Sequence, residues 1–202
     1  DLGADGFTWV YEVTDYQKLL LTDFIDLRVH NTQELIDIRF DFITGTPPRE
    51  VLDVEILWDN YGNHKYVNIV DDVDLGAIDV DLNPAASTYK LKTRITGHGH
   101  EGNGNCCEWQ DKQFGISVDG TEQYSWSIWQ PTECGDNPNI GQGGTWPYAR
   151  EGWCPGDVVP EYDFELTPHI TPGTTVSLDY DMEAVPGGDS GQGNGNYRIS
   201  TH

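Results

Sequence analysis

Alternating apolar and polar residues along the chain predict short β-strands. The clearest run is LIDIRFDFI at 35–43, in which apolar side chains alternate with Asp and Arg. Its apolar face consists of Ile36, Ile38, Phe40 and Phe42. This period of two is typical of a strand that is buried on one face and solvated on the other.

Runs of the same kind recur along the chain and predict the fold class. They lie at 9–13, 24–29, 51–58, 89–95, 113–118, 162–166 and 175–182. Only TDYQKLLL at 14–21 favours a helix, capped by Thr14 or Asp15 with Leu19 and Leu20 facing inward. Many short strands with little helix predict an all-β jelly-roll sandwich of about eight antiparallel strands, formed by 1–202 as one domain.

Two long segments between the predicted strands are candidates for function. The segment 97–112 is polar and contains GHGHEGNGNCCEW, while 131–160 is rich in Gly, Pro and Asn. Segments of this length and composition are expected to be surface loops, where binding and catalytic residues are often found.

The charge of the chain excludes several kinds of partner. A formal net charge of −23 repels nucleic acid phosphates and anionic lipid surfaces. It indicates either a solvated acidic surface or, alternatively, cation binding or adaptation to high salt. The acidic stretch 71–83 offers carboxylates for calcium but lacks the spacing of a calcium loop. No apolar run is long enough to span a membrane.

The cysteines favour an oxidising environment. Cys134 and Cys154 lie in a stretch rich in Gly and Pro without the paired spacing of a zinc site, so we expect a disulfide between them. The alternative is a pair of buried thiols. The chain opens with DLGADG instead of a signal peptide pattern, which suggests a mature or excised piece of a secreted or cell-surface protein.

The second loop carries a resemblance to a known family. Its Cys, Asn-Pro, Gly-x-Trp and Arg-x-Gly-Trp-Cys-Pro-Gly motifs resemble those of the peptide-N-glycosidase F family. The matching residues are Cys134, Asn137, Pro138, Trp146, Arg150, Trp153, Cys154, Pro155 and Gly156. In the first loop they are Gly97, Gly99, His100, Cys106, Glu108 and Trp109. YEVTDYQKLL and FDFITGTPPR extend the resemblance upstream.

This resemblance implies two jelly rolls that meet at an active site and cleave the amide between asparagine and an N-linked glycan. The chain is similar to the second roll, whose catalytic residues would be Glu108 and Arg150. The first roll would supply a catalytic aspartate, and nothing in this sequence matches that segment. A carboxylate suits proton transfer in amide hydrolysis, and a cation suits the polar intermediate.

Substrate contacts are expected from His100 and from Trp109, Trp146 and Trp153, whose flat faces suit sugar rings. The alternative is that these tryptophans belong to the core. For Arg150 the alternative is a structural pair with Glu133 or Glu151, and for Glu108 it is a solvated loop acid.

The sequence also departs from the family pattern. His98 replaces a tryptophan, Gln110 replaces a cysteine, and His30 and Thr32 stand where the family has a Glu-x-Trp pair. The missing cysteine leaves Cys106 beside Cys107, where a vicinal disulfide and reduced thiols are both open. We favour reduced or partner-bonded thiols, because a bridge between neighbours strains the peptide, although secretion favours oxidation.

His98 and His100 are also candidate metal ligands. Two histidines separated by one residue lie on the same side of an extended segment, as a copper site would require. Type II copper monooxygenases share the double jelly-roll plan and carry a similar His-x-His. These enzymes also use a methionine ligand on a late strand, which has no clear counterpart here because Met182 precedes the final strand. A third ligand is therefore missing unless His30 or His202 replaces it. We expect no cofactor, with copper or calcium as alternatives.

Three functions therefore remain: an amidase half that needs a partner domain, a non-catalytic glycan-binding or structural module, and a metal enzyme. We favour the first. Its partners would be an N-glycan or glycopeptide and either an upstream jelly roll or a neighbouring subunit. Because the last strand, entered by GNGNYRISTH, is short, we also expect an open sheet edge or core groove there. Residues beyond His202 in a longer natural polypeptide, or a neighbouring subunit, would fill it.

Overall fold

The computed structural model divides the chain into two compact units. One consists mainly of Glu55–His202 and the other is Val10–Val54. The structure describes residues 6–27, 29, 35–59, 62–101, 106–130, 134–136, 143–184 and 195–202, with the main chain only at 59, 100 and 101.

Short strands dominate the larger unit. They are β1 (Gly62–Lys65), β2 (Ile78–Asp81), β3 (Lys90–His98), β4 (His100–Glu101), β5 (Cys106–Cys107), β6 (Gln113–Val118), β7 (Thr121–Ser127), β8 (Trp129–Gln130), β9 (Arg150–Glu151), β10 (Tyr162–Glu165), β11 (Thr175–Met182) and β12 (Asn196–Thr201). The described helices are α1 (Gln17–Leu20) in the smaller unit and α2 (Tyr66–Val70) here, with 3-10 turns at Thr14–Tyr16, Leu57–Asp59, Cys134–Asp136 and Thr167–His169.

Within the described residues, eight of these strands form two antiparallel sheets. One has the order β1-β12-β3-β10 and the other the order β2-β11-β6-β7. The two-residue strands pair separately, β4 with β5 and β8 with β9. The jelly-roll sandwich predicted from the sequence is confirmed, and β6 and β11 match their predicted runs residue for residue.

Aromatic side chains from the two sheets meet in the core. Phe114 of β6 contacts Tyr197 of β12 edge-on, with 5.4 Å between ring centroids. Every second residue of β11 is buried, as the alternating pattern requires. These contacts place the two sheets face to face, and the two residues of β5, Cys106 and Cys107, belong to the same buried core.

The final strand is not an open edge. β12 pairs with β1 on one side and with β3 on the other, and Tyr197, Ile199 and Thr201 are buried. The expected unpaired edge at the last strand is therefore wrong. The reason is that β1, which the sequence pattern did not reveal, occupies the outer side of β12.

The smaller unit differs most from the sequence prediction. Its one predicted helix exists as the 3-10 turn followed by α1, but neither Thr14 nor Asp15 caps it. Instead, a Glu12 carboxylate oxygen accepts the Thr14 main-chain N–H at 2.7 Å. Leu19 is exposed, contrary to expectation. None of the described helices in either unit is both long and apolar enough to cross a membrane.

The strands predicted upstream of β1 are wrong for the described residues. No strand is found at 9–13, 35–43 or 51–58, nor in the described part of 24–29. The apolar face at 35–43 is exposed, from 39% at Phe40 to 66% at Phe42. Alternation shows that side chains suit a sheet face, but a strand also needs a hydrogen-bonded partner strand, and these segments have none in the described chain.

Candidate functional site

The first loop is folded back so that Glu108 follows directly after β5. β3 ends at His98, and β4 pairs with β5 in the register His100 to Cys107. The Gly99 carbonyl accepts the N–H groups of Cys107 and Glu108 at 3.0 and 2.9 Å. The main chain around Glu108 is therefore fixed to the end of a long central strand.

The second loop brings Arg150 to the same place. β9 pairs with β8, and the N–H of Glu151 donates to the Glu108 carbonyl at 3.0 Å. Gly152, at φ +80°, lies so close to β3 that an added Cβ would be 2.3 Å from the Ile95 carbonyl oxygen. This close approach, which only glycine permits, holds β9 against β3.

Glu108 and Arg150 form a direct ion pair. Arg150 Nε donates to Glu108 Oε1 at 2.9 Å, so the structure brings together the two residues that the resemblance implies as the catalytic pair. The Arg150 side chain is 4% exposed and that of Glu108 is 20% exposed. Glu108 is therefore not simply a solvated loop acid, and among the described residues Arg150 pairs with it and not with Glu151. The alternative partner Glu133 lies outside the described residues.

The guanidinium group of Arg150 is almost fully used by protein partners. Its Nη1 donates to the carbonyls of Trp146 and Tyr148 at 3.1 and 3.3 Å, and Nη2 donates to Thr145 Oγ1 at 3.1 Å. With the bond to Glu108, four of its five N–H donors are engaged. The arrangement orients Glu108 and leaves Glu108 Oε2 without a hydrogen-bond partner among the described residues.

Two of the predicted sugar-binding tryptophans contact Arg150. The guanidinium carbon lies 4.5 Å from the ring centroid of Trp109 and 4.9 Å from that of Trp153. Trp153 Nε1 also donates to the Gly97 carbonyl at 2.9 Å. Trp109, Trp146 and Trp153 are all half-buried, and the Trp109 and Trp153 rings enclose the cation by cation–π contact.

The ring of His98 contacts that of Trp153. The two ring centroids are 5.4 Å apart, and His98 Nε2 is hydrogen-bonded to Thr96 Oγ1 at 2.8 Å. Burial lowers the pKa of His98 to about 4, and nearby Arg198 adds to this effect. Among the described side chains His98 belongs to no group of three or more potential metal ligands. The His100 side chain and His30 lie outside the described residues.

His98 should make the fold sensitive to acid. Because its pKa is about 4 in the fold and 6.5 ordinarily, only the unfolded chain binds a proton between these values. The stability that neutral His98 provides is complete above about pH 6.5 and is lost as the pH falls towards 4. Urea unfolding across this range should show a smaller loss for His98→Gln. Equal losses in both proteins would contradict this.

The described carboxylates that could share a cation lie elsewhere in the larger unit. One oxygen each from Asp72, Asp179 and Asp181 falls within 4.8 Å of the others. Asp72 comes from the acidic stretch 71–83, and the other two lie on β11. Asp181 Oδ2 already accepts a hydrogen bond from Ser117 at 2.9 Å. Calcium is an alternative only for the stretch 71–83, which contributes Asp72 alone to this cluster.

Both cysteine pairs form disulfides. Cys134 and Cys154 are bonded, as predicted, and tie the second loop together. Cys106 and Cys107 are also bonded to each other. The preference for reduced or partner-bonded thiols is therefore wrong. Both residues are fully buried, and no other cysteine is available, because the chain has four.

Sequence reasoning gave Glu151 no role in the site beyond a possible pairing with Arg150. This side chain is fully buried, and its Oε1 accepts the Lys112 main-chain N–H at 3.2 Å. Burial, with a smaller contribution from Asp111, raises its pKa to about 9, although the hydrogen bond from the Lys112 N–H acts in the opposite direction. Its position directly after Arg150 was visible in the sequence, but an isolated glutamate gives no sign of burial.

The family follows from comparison with known proteins. The model for "Peptide-N-glycosidase F, C terminal" matches residues 65–202, which include Glu108, Arg150 and both disulfides. The chain belongs to this family. The predicted resemblance is therefore confirmed over most of the chain and throughout the larger unit's two sheets, except the first residues of β1.

Peptide-N-glycosidase F relatives are similar in sequence and fold. Peptide-N(4)-(N-acetyl-beta-D-glucosaminyl)asparagine amidase F of Elizabethkingia miricola is 24% identical over 201 residues, covering 86% of this chain and 52% of the relative. The structure of PNGase F, a glycosylasparaginase from Flavobacterium meningosepticum, is 27% identical with a TM-score of 0.56, covering 63% of this chain and 42% of that chain. The chain thus spans about half the length of the relatives it matches.

Proposed function

We propose that this chain supplies the Glu108–Arg150 part of a peptide-N-glycosidase site, which hydrolyses the amide between asparagine and the first sugar of an N-linked glycan. The observation that carries the proposal is the oriented carboxylate. Oε1 of Glu108 is held by Arg150 at 2.9 Å, while Oε2 has no partner among the described residues. The similar amidase F acts, by its name, on this type of bond.

In this proposal Glu108 is the acid–base group. Oε2 would accept a proton from the attacking water and then donate that proton to the leaving nitrogen, and both steps need the carboxyl group at hydrogen-bond distance. Arg150 acts mainly through Glu108, because four of its N–H donors are already engaged. It fixes one carboxylate oxygen and leaves the other for the substrate.

A second acidic group would come from a partner jelly-roll domain. The comparisons support this only indirectly, because the chain spans 52% of the amidase F relative. The substrate would be an N-glycan or glycopeptide that lies between the two domains. The two disulfides fit a secreted or cell-surface location, where thiols are oxidised.

The sugars would contact the tryptophans next to Glu108. Trp109 and Trp153 each contact the guanidinium group of Arg150 with part of the indole ring. Because both side chains are only half-buried, part of each ring is exposed and could contact a sugar. His100 is kept as a substrate contact in the proposal, although its side chain lies outside the described residues.

Titration of the chain with a short glycopeptide tests the location of this site. The ligand would be a tripeptide whose asparagine carries two N-acetylglucosamine units, and the readout would be the indole N–H signals of the seven tryptophans. We expect shifts at Trp109, Trp146 and Trp153, and none with the unglycosylated tripeptide. Unchanged signals at these three residues would contradict the proposal. Binding without later hydrolysis would favour a glycan-binding module.

A further inference from the structure

A buried glutamate, Glu151, follows Arg150 in the chain and is bonded through its main chain to Glu108. Glu151 is fully buried, and the same dipeptide that carries it also carries Arg150. Carboxylates are rarely buried without a charged partner. Among the described residues its only side-chain hydrogen bond is to a main-chain N–H, so it does not form a conventional ion pair.

Glu151 bonds both ends of the turn that carries Glu108. Its main-chain N–H donates to the Glu108 carbonyl at 3.0 Å, and its Oε1 accepts the Lys112 N–H at 3.2 Å. Arg150, one residue earlier, holds the Glu108 side chain. Two consecutive residues of β9 therefore fix Glu108 by its main chain, its side chain and the far end of its turn.

The surroundings of Glu151 disfavour a charge on its carboxyl group. Among the described residues, the titratable groups that interact with it electrostatically are Asp111, Lys112, Tyr162 and Tyr197, of which Lys112 is the only base. Glu151 Oε2 and the buried Tyr197 hydroxyl both lack a hydrogen-bond partner among the described residues. An uncharged acid avoids the cost of burying an unpaired anion, and its pKa of about 9 agrees with that state.

We propose that Glu151 is a positioning residue of the site, an uncharged buried carboxyl group that holds the Glu108–Lys112 turn and thereby places the Glu108 carboxylate. The proposal rests on the proposed role of Glu108 only for its effect on hydrolysis. The placement itself can be measured without substrate.

Two substitutions at Glu151 separate the hydrogen bond from packing. Glu151→Gln keeps an oxygen acceptor and the size of the side chain, whereas Glu151→Met keeps a similar size without a good acceptor. In Glu151→Met we expect the Lys112 amide to exchange with solvent about tenfold faster and the Glu108 carboxyl carbon signal to shift. In Glu151→Gln, amide exchange should stay within about twofold of the original.

Glu183 provides the matched control. This exposed glutamate accepts the N–H of Gln113, the residue next to Lys112, at 3.1 Å. Glu183→Met should release the Gln113 amide without changing the Glu108 signal. If Glu151→Met leaves Lys112 exchange and the Glu108 signal unchanged, or if Glu151→Gln is as disruptive as Glu151→Met, the proposal is wrong.

A pH series tests the uncharged state and does not depend on the Met variant folding. With a pKa of about 9 in the fold and 4.5 ordinarily, Glu151 costs the native protein progressively more stability as the pH rises between these values. The urea midpoint of the original chain should therefore fall relative to Glu151→Gln from about pH 5 to about pH 8. If the urea midpoints of the two proteins change in parallel with pH, the proposal that the Glu151 carboxyl group is uncharged is wrong.

Hydrolysis adds a separate readout. If a hydrolytic rate is found, Glu151→Met should lower kcat on the order of 100-fold with little change in KM, because a misplaced carboxylate affects the reaction more than binding. A rise in KM with an unchanged kcat would contradict a positioning role. If no hydrolysis is found even after the partner jelly-roll domain is supplied, the proposed function fails, while the exchange and pH results still decide the role of Glu151.

Discussion

Replacing Arg150 by lysine is expected to lower the free energy of unfolding by about 3 kcal/mol. The guanidinium group bonds Glu108, Trp146, Tyr148 and Thr145 from its fixed fork and contacts two tryptophan rings. A single ammonium group cannot reach these acceptors in the same directions, so the Trp146 and Tyr148 carbonyls and the Glu108 carboxylate would lose their donors. Urea unfolding at neutral pH measures the loss.

Arg39→Lys is the control for this substitution. Arg39 also pairs with a carboxylate, that of Asp41 at 2.9 Å, but its side chain is 83% exposed. An exposed pair contributes little, so the change should stay within about 0.5 kcal/mol. If Arg150→Lys lowers the free energy of unfolding by less than about 1 kcal/mol, the hydrogen bonds and ring contacts of Arg150 stabilise the fold less than their geometry indicates.

Gly97→Ala is expected to destabilise the larger unit by about 3 kcal/mol or more. An added Cβ would lie 1.9 Å from the Cys107 carbonyl oxygen and 3.0 Å from Glu151 Cβ. The nearest atoms belong to the main chain of β5, so the turn that carries Glu108 would have to move away from β3. Thermal and urea unfolding measure the stability, and the Glu108 carboxyl signal reports the displacement.

Gly62→Ala controls for placing a methyl group on a strand. Gly62 lies in β1, and its added Cβ would meet nothing closer than His64 Nε2 at 3.9 Å. We expect a neutral or slightly stabilising effect, since alanine restricts the unfolded chain. If Gly97→Ala were as well tolerated as Gly62→Ala, the close packing of β5 on β3 would be refuted.

The sandwich could be predicted where alternating residues also have neighbouring strands. TVSLDYDM became β11 and QFGISV became β6, because each lies between two strands of the same sheet. LIDIRFDFI at 35–43 has a stronger alternation, yet it forms no strand in the described chain. Periodicity describes which face of a segment is apolar, but it contains no information about whether a partner strand exists.

The site was predictable in part. The resemblance identified Glu108 and Arg150, which are 42 positions apart, and the structure brings them to 2.9 Å. The hydrogen bonds from Arg150 to the carbonyls of Trp146 and Tyr148 could not be predicted, because every residue type has the same main-chain carbonyl acceptor. Glu151 was missed as a buried group because glutamate usually lies at the surface, and only its packing under β3 changes that.

Hydrolysis of an N-glycopeptide tests the central claim most directly. It is measured with this chain alone and again after adding the half of the amidase F relative that this chain does not match. The measured quantity is the conversion of the glycosylated asparagine to aspartate, followed by mass spectrometry. We predict conversion when the added half is present, and a loss on the order of 1,000-fold for Glu108→Gln, with Glu183→Gln unchanged. Equal rates for Glu108→Gln and the original chain, or no conversion under either condition, would contradict the account.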